Sequence, residues 1–236
     1  MILKVEHIRK NFGDKRVLDD INFSVAAGEC VGIVGLSGCG KSTLAKIIAR
    51  LLPSDDGQII LNSDGAFYRN VQMIFQTPED SFNPRRTLGQ SIAEPLENYG
   101  INARVEDLLR EVGLPAAYAE RYPREVSGGE CQRAAIARAI GVAPKLLICD
   151  EATSALDVTI QAQIVALIKK LCVEKNIACL FITHDLALLP RLADRVIVLH
   201  LGKIVEEGTP EQVIHAAKSP FTRQLMASNF FAEEVF

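Results

Sequence analysis

The 236 residues carry 26 basic and 29 acidic side chains for a net charge of −3, with 48% hydrophobic and 23% charged residues. This is a globular composition; it excludes a disordered chain and gives no global pull toward nucleic acid or an anionic lipid surface. The length suits one domain, or one with an inserted subdomain, and would cramp two independent ones.

In chain order, Met1 to His7 place charges where a secretory signal needs an apolar core, so no export signal is expected. Leu3, Val5 and Ile8, then Leu18, Ile21, Phe23 and Val25, alternate in strand fashion around the turn chemistry of Gly13-Asp14, predicting an antiparallel β-layer. Glu29 to Val34 reads as a buried strand running into Gly35-Leu36-Ser37-Gly38-Cys39-Gly40-Lys41-Ser42-Thr43. Leu44, Ile47, Ile48 and Leu51 then follow helical spacing, ending before Pro53. After the strand Val71 to Gln76, a polar loop and helices run from Thr77 to about Ala143, an expected inserted helical subdomain. Strands and helices alternate again: strand Lys145 to Asp150, helix Ile160 to Lys175, strand Ile177 to Thr183, helix Leu186 to Ala193, strand Arg195 to Leu199. Such alternation predicts a parallel α/β sheet. The apolar runs are strand-length, far short of the roughly 20 residues that span a bilayer. Six cysteines (30, 39, 131, 149, 172, 179) form no CxxC pair and read as reduced packing residues.

Gly35 to Ser42 matches GxxxxGK[ST] between a strand and a helix, the context that gives the match meaning. The glycines let backbone wrap phosphates, Lys41 reaches the β- and γ-phosphates, and the Ser42 hydroxyl ligates Mg²⁺. Ser127-Gly128-Gly129 opens an alanine-rich helix, a second anion-seeking helix end in a chain that already has a phosphate loop. That duplication suggests a nucleotide sandwiched between two copies of the domain. Leu146 to Cys149 deliver Asp150 and Glu151 at a strand's carboxyl end, where open α/β sheets bind ligands. Asp150 would hold the metal through water, and Glu151 would polarise the attacking water; for this pair alone, a solvated acidic strand end is the plainer reading. His184 ends the next strand and suits either a structural role or a γ-phosphate contact that orients Glu151 or the water. Gln76 also ends a strand, where its amide can sense both Mg²⁺ and the helical block. Asp157 is placed in a loop facing the partner subunit.

On these motifs the chain resembles the ATP-binding cassette (ABC) ATPases along nearly its whole length. The resemblance implies a P-loop NTPase fold with a RecA-like parallel sheet, an antiparallel β-subdomain and a helical subdomain: residues 1–76 and 144–236 as core, 77–143 as the helical insert. It implies the family's Walker A loop at Gly35 to Ser42, Q-loop at Gln76, signature at Ser127 to Gly129, Walker B at Asp150, catalytic Glu151, D-loop at Ser154 to Asp157 and H-loop at His184. Phe12 stands at the family's adenine-stacking position, usually tyrosine, or else is ordinary core. Val126 and Glu130 depart from the family's Leu and Gln, and Glu130 adds negative charge near the phosphate-binding end.

The segments Phe75 to Arg85, Ile92 to Leu96, Asp157 to Gln163 and Ser219 to Arg223 resemble the subgroup that powers peptide, nickel and opine importers. Lack of the longer carboxyl-terminal extension of many peptide-importing members leans the expectation toward nickel or a metal chelate. The resemblance implies ATP and Mg²⁺, a non-identical partner ATPase, two permease subunits, and an extracytoplasmic solute-binding protein met only indirectly. It also implies a peripheral place at the cytoplasmic face of the inner membrane. The rival class is a soluble ABC ATPase of DNA repair or translation, which commonly carries fused cassettes, coiled coils or zinc modules that do not show here. A small-molecule kinase would share the phosphate loop but not the signature and His184 in this order.

Overall fold

A computed structural model describes residues 1–154 and 156–233. Ala155, inside the expected loop Ser154 to Asp157, lies outside the described residues. The chain runs β1 (Leu3–Phe12), β2 (Lys15–Val25), β3 (Cys30–Val34), α1 (Lys41–Ile48), β4 (Asp56–Leu61), α2 (Phe67–Asn70), β5 (Val71–Ile74), α3 (Leu88–Asn98), α4 (Val105–Glu111) and α5 (Gly128–Gly141). It continues through β6 (Leu146–Asp150), α6 (Val158–Lys175), β7 (Ala178–Ile182), α7 (Leu189–Leu192), β8 (Arg195–His200), β9 (Lys203–Gly208), α8 (Pro210–His215) and α9 (Pro220–Glu233). The architecture is α/β and of the P-loop NTPase type. By its contacts the chain divides into one unit of Met1–Ser63 with the segment from Ala178 onward, and a second of Asp64–Ile177.

In the first unit, period-2 alternation, shifted by one residue at irregularities where His7 and Asp20 take φ of +52° and +61°, puts Leu3, Val5, Ile8, Leu18, Ile21, Phe23 and Val25 on one buried face. β1 and β2 pair antiparallel with Leu3 opposite Val25, Val5 opposite Phe23 and Ile8 opposite Ile21. β4 pairs with the other edge of β1 as a third strand. β3 is buried at every residue, as a strand covered on both faces must be. It lies parallel between β7 and β8, with Ile33 opposite both Ile182 and Ile197. β9 closes this group antiparallel to β8.

Two expectations are corrected here. The helix expected to reach Leu51 ends at Ile48. Arg50 takes a φ of +56°, and the Leu51 and Leu52 N–H groups turn back onto the Lys46 carbonyl at 2.8 and 3.2 Å, which leaves Leu51 exposed. The single helix expected over Leu186 to Ala193 is instead a 3-10 turn (Leu186–Leu188) followed by the one-turn α7. Pro190 has no N–H to return to a carbonyl four residues back, so it is placed in the first turn of α7 and divides the segment.

In the second unit, β5 and β6 run parallel, with Val71 opposite Leu146 and Ile74 opposite Cys149. β5 stops at Ile74, two residues earlier than expected, so Gln76 sits in an exposed bend beyond the strand. Helices α3, α4 and α5 all fall between residues 77 and 143 and share a core of Leu88, Ile92, Leu96, Leu109, Val112, Ile136 and Ile140. Each such side chain removed from water contributes about 1.5–3 kcal/mol. Thr87 starts α3 in a reciprocal capping box with Gln90. The Arg138 guanidinium donates to the Ser81 carbonyl at 2.7 Å and its hydroxyl at 3.0 Å, and lies 4.4 Å from the Phe82 ring centroid, pinning the loop after Gln76 onto α5.

All six cysteines are free and buried, as the spacing implied. Among the described residues no helix is long and apolar enough to cross a membrane, and no cluster of His, Cys, Asp and Glu could hold a metal ion.

Candidate functional site

The parallel pairing of β3 with β7 brings two predicted elements to one sheet edge in the first unit. The loop Gly35 to Gly40 leaves the end of β3, and Thr183-His184 leaves the end of β7, with the Thr183 N–H donating to the Ile33 carbonyl at 3.2 Å. The loop is built from backbone that only glycine supplies cheaply. Gly35 has a φ of +155°, and a Cβ there would lie 2.1 Å from the Leu199 carbonyl oxygen. Gly40, at φ +109°, would set a Cβ 2.8 Å from the Val17 carbonyl oxygen. Gly40 is also the N-cap of α1 and offers no side-chain cap, and the first turn of α1 holds no acidic residue. The start of α1 therefore has no side-chain cap from Gly40, and no carboxylate in that turn neutralises the positive end of the helix dipole. Lys41 is 4% exposed, and its ammonium donates to the Gly35 and Leu36 carbonyls at 2.8 and 3.1 Å. A cradle of this kind, closed to a Cβ and positive at its mouth, fits a polyphosphate. Gly35→Ala is expected to cost at least about 3 kcal/mol through clash and backbone strain. Denaturant unfolding alongside MgATP titration measures it, and an unchanged midpoint would refute the close approach.

Phe12 ends β1 and is 51% exposed, with the Lys10 ammonium 5.6 Å from its ring centroid. It is a presented ring rather than core.

The second unit carries the acidic pair and the signature helix. β6 is buried to its last residue and ends in Asp150, itself 8% exposed. Glu151 follows in a left-handed conformation, φ +50°, and the Ser154 N–H and hydroxyl both donate to its carbonyl at 3.1 Å. Asp157 caps α6, accepting from the Ile160 N–H at 3.0 Å. Ser127 caps α5 in a capping box: its hydroxyl accepts from the Glu130 N–H at 3.3 Å and donates to the Glu130 carboxylate at 2.9 Å. That carboxylate also accepts from the Ser127 N–H at 2.8 Å and from the Tyr118 hydroxyl at 2.5 Å. The Tyr118 hydrogen bond, with help from Ser127, holds the Glu130 carboxyl below its ordinary range, and the same bond pushes the Tyr118 phenol up. Glu130 is thus a built-in anion beside Ser127.

Sequence reasoning missed Tyr118, whose distance of 12 residues from Glu130 has no local period. It also missed Gln132, which is completely buried on α5. A signal existed: Gln132, Ile136 and Ala139 share the i, i+4, i+7 face that turns inward.

A family model described as ABC transporter matches residues 18–154. The oligopeptide transport ATP-binding protein OppF of Haemophilus influenzae is 40% identical over 258 residues, covering 97% of this chain and 78% of that protein. The glutathione import ATP-binding protein GsiA of Escherichia coli is 44% identical over 232 residues; the match covers 92% of this chain but only 37% of GsiA. Among solved structures, cbiO1 of Clostridium perfringens, part of the ABC transporter complex cbiONQ, superposes with a TM-score of 0.81 at 26% identity, over 99% of each chain.

Proposed function

The chain belongs to the ABC transporter family and is an ATP-hydrolysing subunit, and from that premise we propose that it powers a peptide importer from the cytoplasmic face of the inner membrane, beneath two permease subunits. The observation that supports the cargo class is the near-complete alignment with an oligopeptide transport ATPase, seconded by a glutathione import ATPase. Nickel or a metal chelate draws no support from those relatives. The cargo itself would be chosen by the permeases and an extracytoplasmic binding protein.

In this reading Lys41 and the backbone of Gly35, Leu36, Ser37, Gly38, Cys39, Gly40, Ser42 and Thr43 hold the phosphates, while Phe12 stacks on the adenine. Ser42 in the first unit, and Gln76 and Asp150 in the second, are the side chains that would serve as Mg²⁺ ligands, and the ion would supply neutralisation of charge at the transferred phosphate. Glu151 would take the proton of the attacking water, and His184 would contact the γ-phosphate. Ser127, Gly128 and Gly129, with Asp157, face a non-identical partner ATPase across a nucleotide sandwich. Residues 77–143 act as the helical subdomain that meets a permease, with Gln76 at its root.

Copurification from membranes tests the assembly: two permease subunits and a second ATPase should come with this chain, and recovery with ribosomes or nucleic acid instead would overturn it. The coupling role is tested at Arg85, which is exposed at the tip of the loop that Arg138 pins; its N–H donates to the Asn83 side chain at 2.9 Å. Arg85→Glu should lower uptake at least tenfold, about 1.4 kcal/mol at the permease contact, and leave MgATP binding intact. Undiminished uptake by a properly assembled Arg85→Glu complex would sink the coupling role.

A further inference from the structure

Gln132 on α5 is fully buried, and its amide donates to the Ala152 carbonyl at 2.7 Å. Its side-chain oxygen meets no hydrogen-bond partner among the described residues. Packing alone does not account for a glutamine here, since methionine or leucine would fill similar volume without burying an orphaned acceptor. What the amide grips is the residue after Glu151. Glu151 holds φ +50°, a conformation that a non-glycine side chain keeps only where its surroundings enforce it. Ser154 holds the Glu151 carbonyl through its N–H and hydroxyl, both at 3.1 Å, from within the same turn. Gln132 holds the next carbonyl from a different element, 20 residues away in sequence.

We propose that Gln132 is a positioning residue for Glu151: it fixes the turn that aims the base, and it ties that turn to the helix whose first residue is capped by Ser127. Gln132 lies on the second turn of α5, close behind the Ser127 cap, and α5 is buried along Cys131, Ala134, Ala135 and Ile136, so its first two turns move as a rigid piece. Engagement of Ser127 with a nucleotide on the partner subunit is therefore transmitted to the Glu151 turn through one hydrogen bond. The inference rests on the roles proposed above for Glu151 and Ser127.

The test uses the assembled complex and steady-state ATP hydrolysis. Gln132→Met, equal in length and without polar atoms, is expected to lower kcat about 10- to 100-fold while KM for ATP stays within about twofold, because binding is intact and the base is misaimed. In a Glu151→Gln background the same change is expected to add little further loss, since both act through one residue. A purely structural glutamine predicts the opposite pattern, with kcat and KM shifting together and losses that multiply. If Gln132→Met does not assemble, Gln132→Leu, which also has no donor to offer the Ala152 carbonyl, is read in the same way. A wild-type kcat in either variant overturns the inference. Wild-type complex without ATPase activity, or a Glu151→Gln complex hydrolysing at the wild-type rate, would instead overturn the functional reading beneath it.

Discussion

Glu151→Gln is expected to bind MgATP with near wild-type affinity and to hydrolyse it about 10²- to 10⁴-fold more slowly, the range spanned by loss of a general base. The substitution keeps the shape of the side chain, and the turn it stands on keeps the hydrogen bonds that Ser154 and Gln132 donate to the Glu151 and Ala152 carbonyls. On the proposed reading nucleotide affinity belongs to the loop at the end of β3, where Lys41 and the α1 N–H groups lie. Loss of the base without loss of the cradle leaves ATP bound and uncleaved, so an ATP-bound dimer should accumulate on a sizing column. A variant hydrolysing at the wild-type rate would assign the base to another residue.

Ser127→Arg is expected to abolish ATP-driven dimerisation while leaving MgATP binding by the monomer within about twofold, since on the proposed nucleotide sandwich a bulky cation at the tip of α5 would obstruct the partner surface, while Lys41 and the backbone of residues 35–43 are unaltered. The serine also has a local task as the N-cap of α5, worth about 1 kcal/mol, so a modest fall in thermal stability accompanies the change. Ser127→Ala separates the two effects, because it removes the same cap without the bulk. It should reproduce the stability loss but retain part of the dimerisation. Complete loss of monomer binding in Ser127→Arg would contradict the sandwich arrangement.

The residues of the sheet and the phosphate loop were legible because each carries its own period or spacing. β1 and β2 alternate in short runs on either side of irregularities at His7 and Asp20, and β3 and β6 are short buried runs with a glycine loop or an acidic pair at the end. β4 was not legible, since Asp56 to Leu61 is largely exposed and leaves no buried stripe to read. β9 alternates, but between exposed and half-buried positions, which weakens the same signal. The overrun of α1 to Leu51 has a plain cause: apolar spacing continues past the point where Arg50 turns left-handed. Within the site, motif spacing named Ser127 and Glu151 but not what holds them. Ser127 and Glu130 lie at capping-box spacing and Gln132 falls on the inward face of α5, but the partners Tyr118 and Ala152 lie 12 and 20 residues away, and no period in the sequence pairs them.

The most direct measurement is uptake by the complete transporter, reconstituted in proteoliposomes from this chain, its partner ATPase, the two permeases and the binding protein. ATP should drive accumulation of a labelled oligopeptide and not of labelled nickel, and Glu151→Gln in this chain should stop it. Vigorous ATP hydrolysis with no peptide entering, or with nickel entering instead, would contradict the assignment of this chain to peptide import.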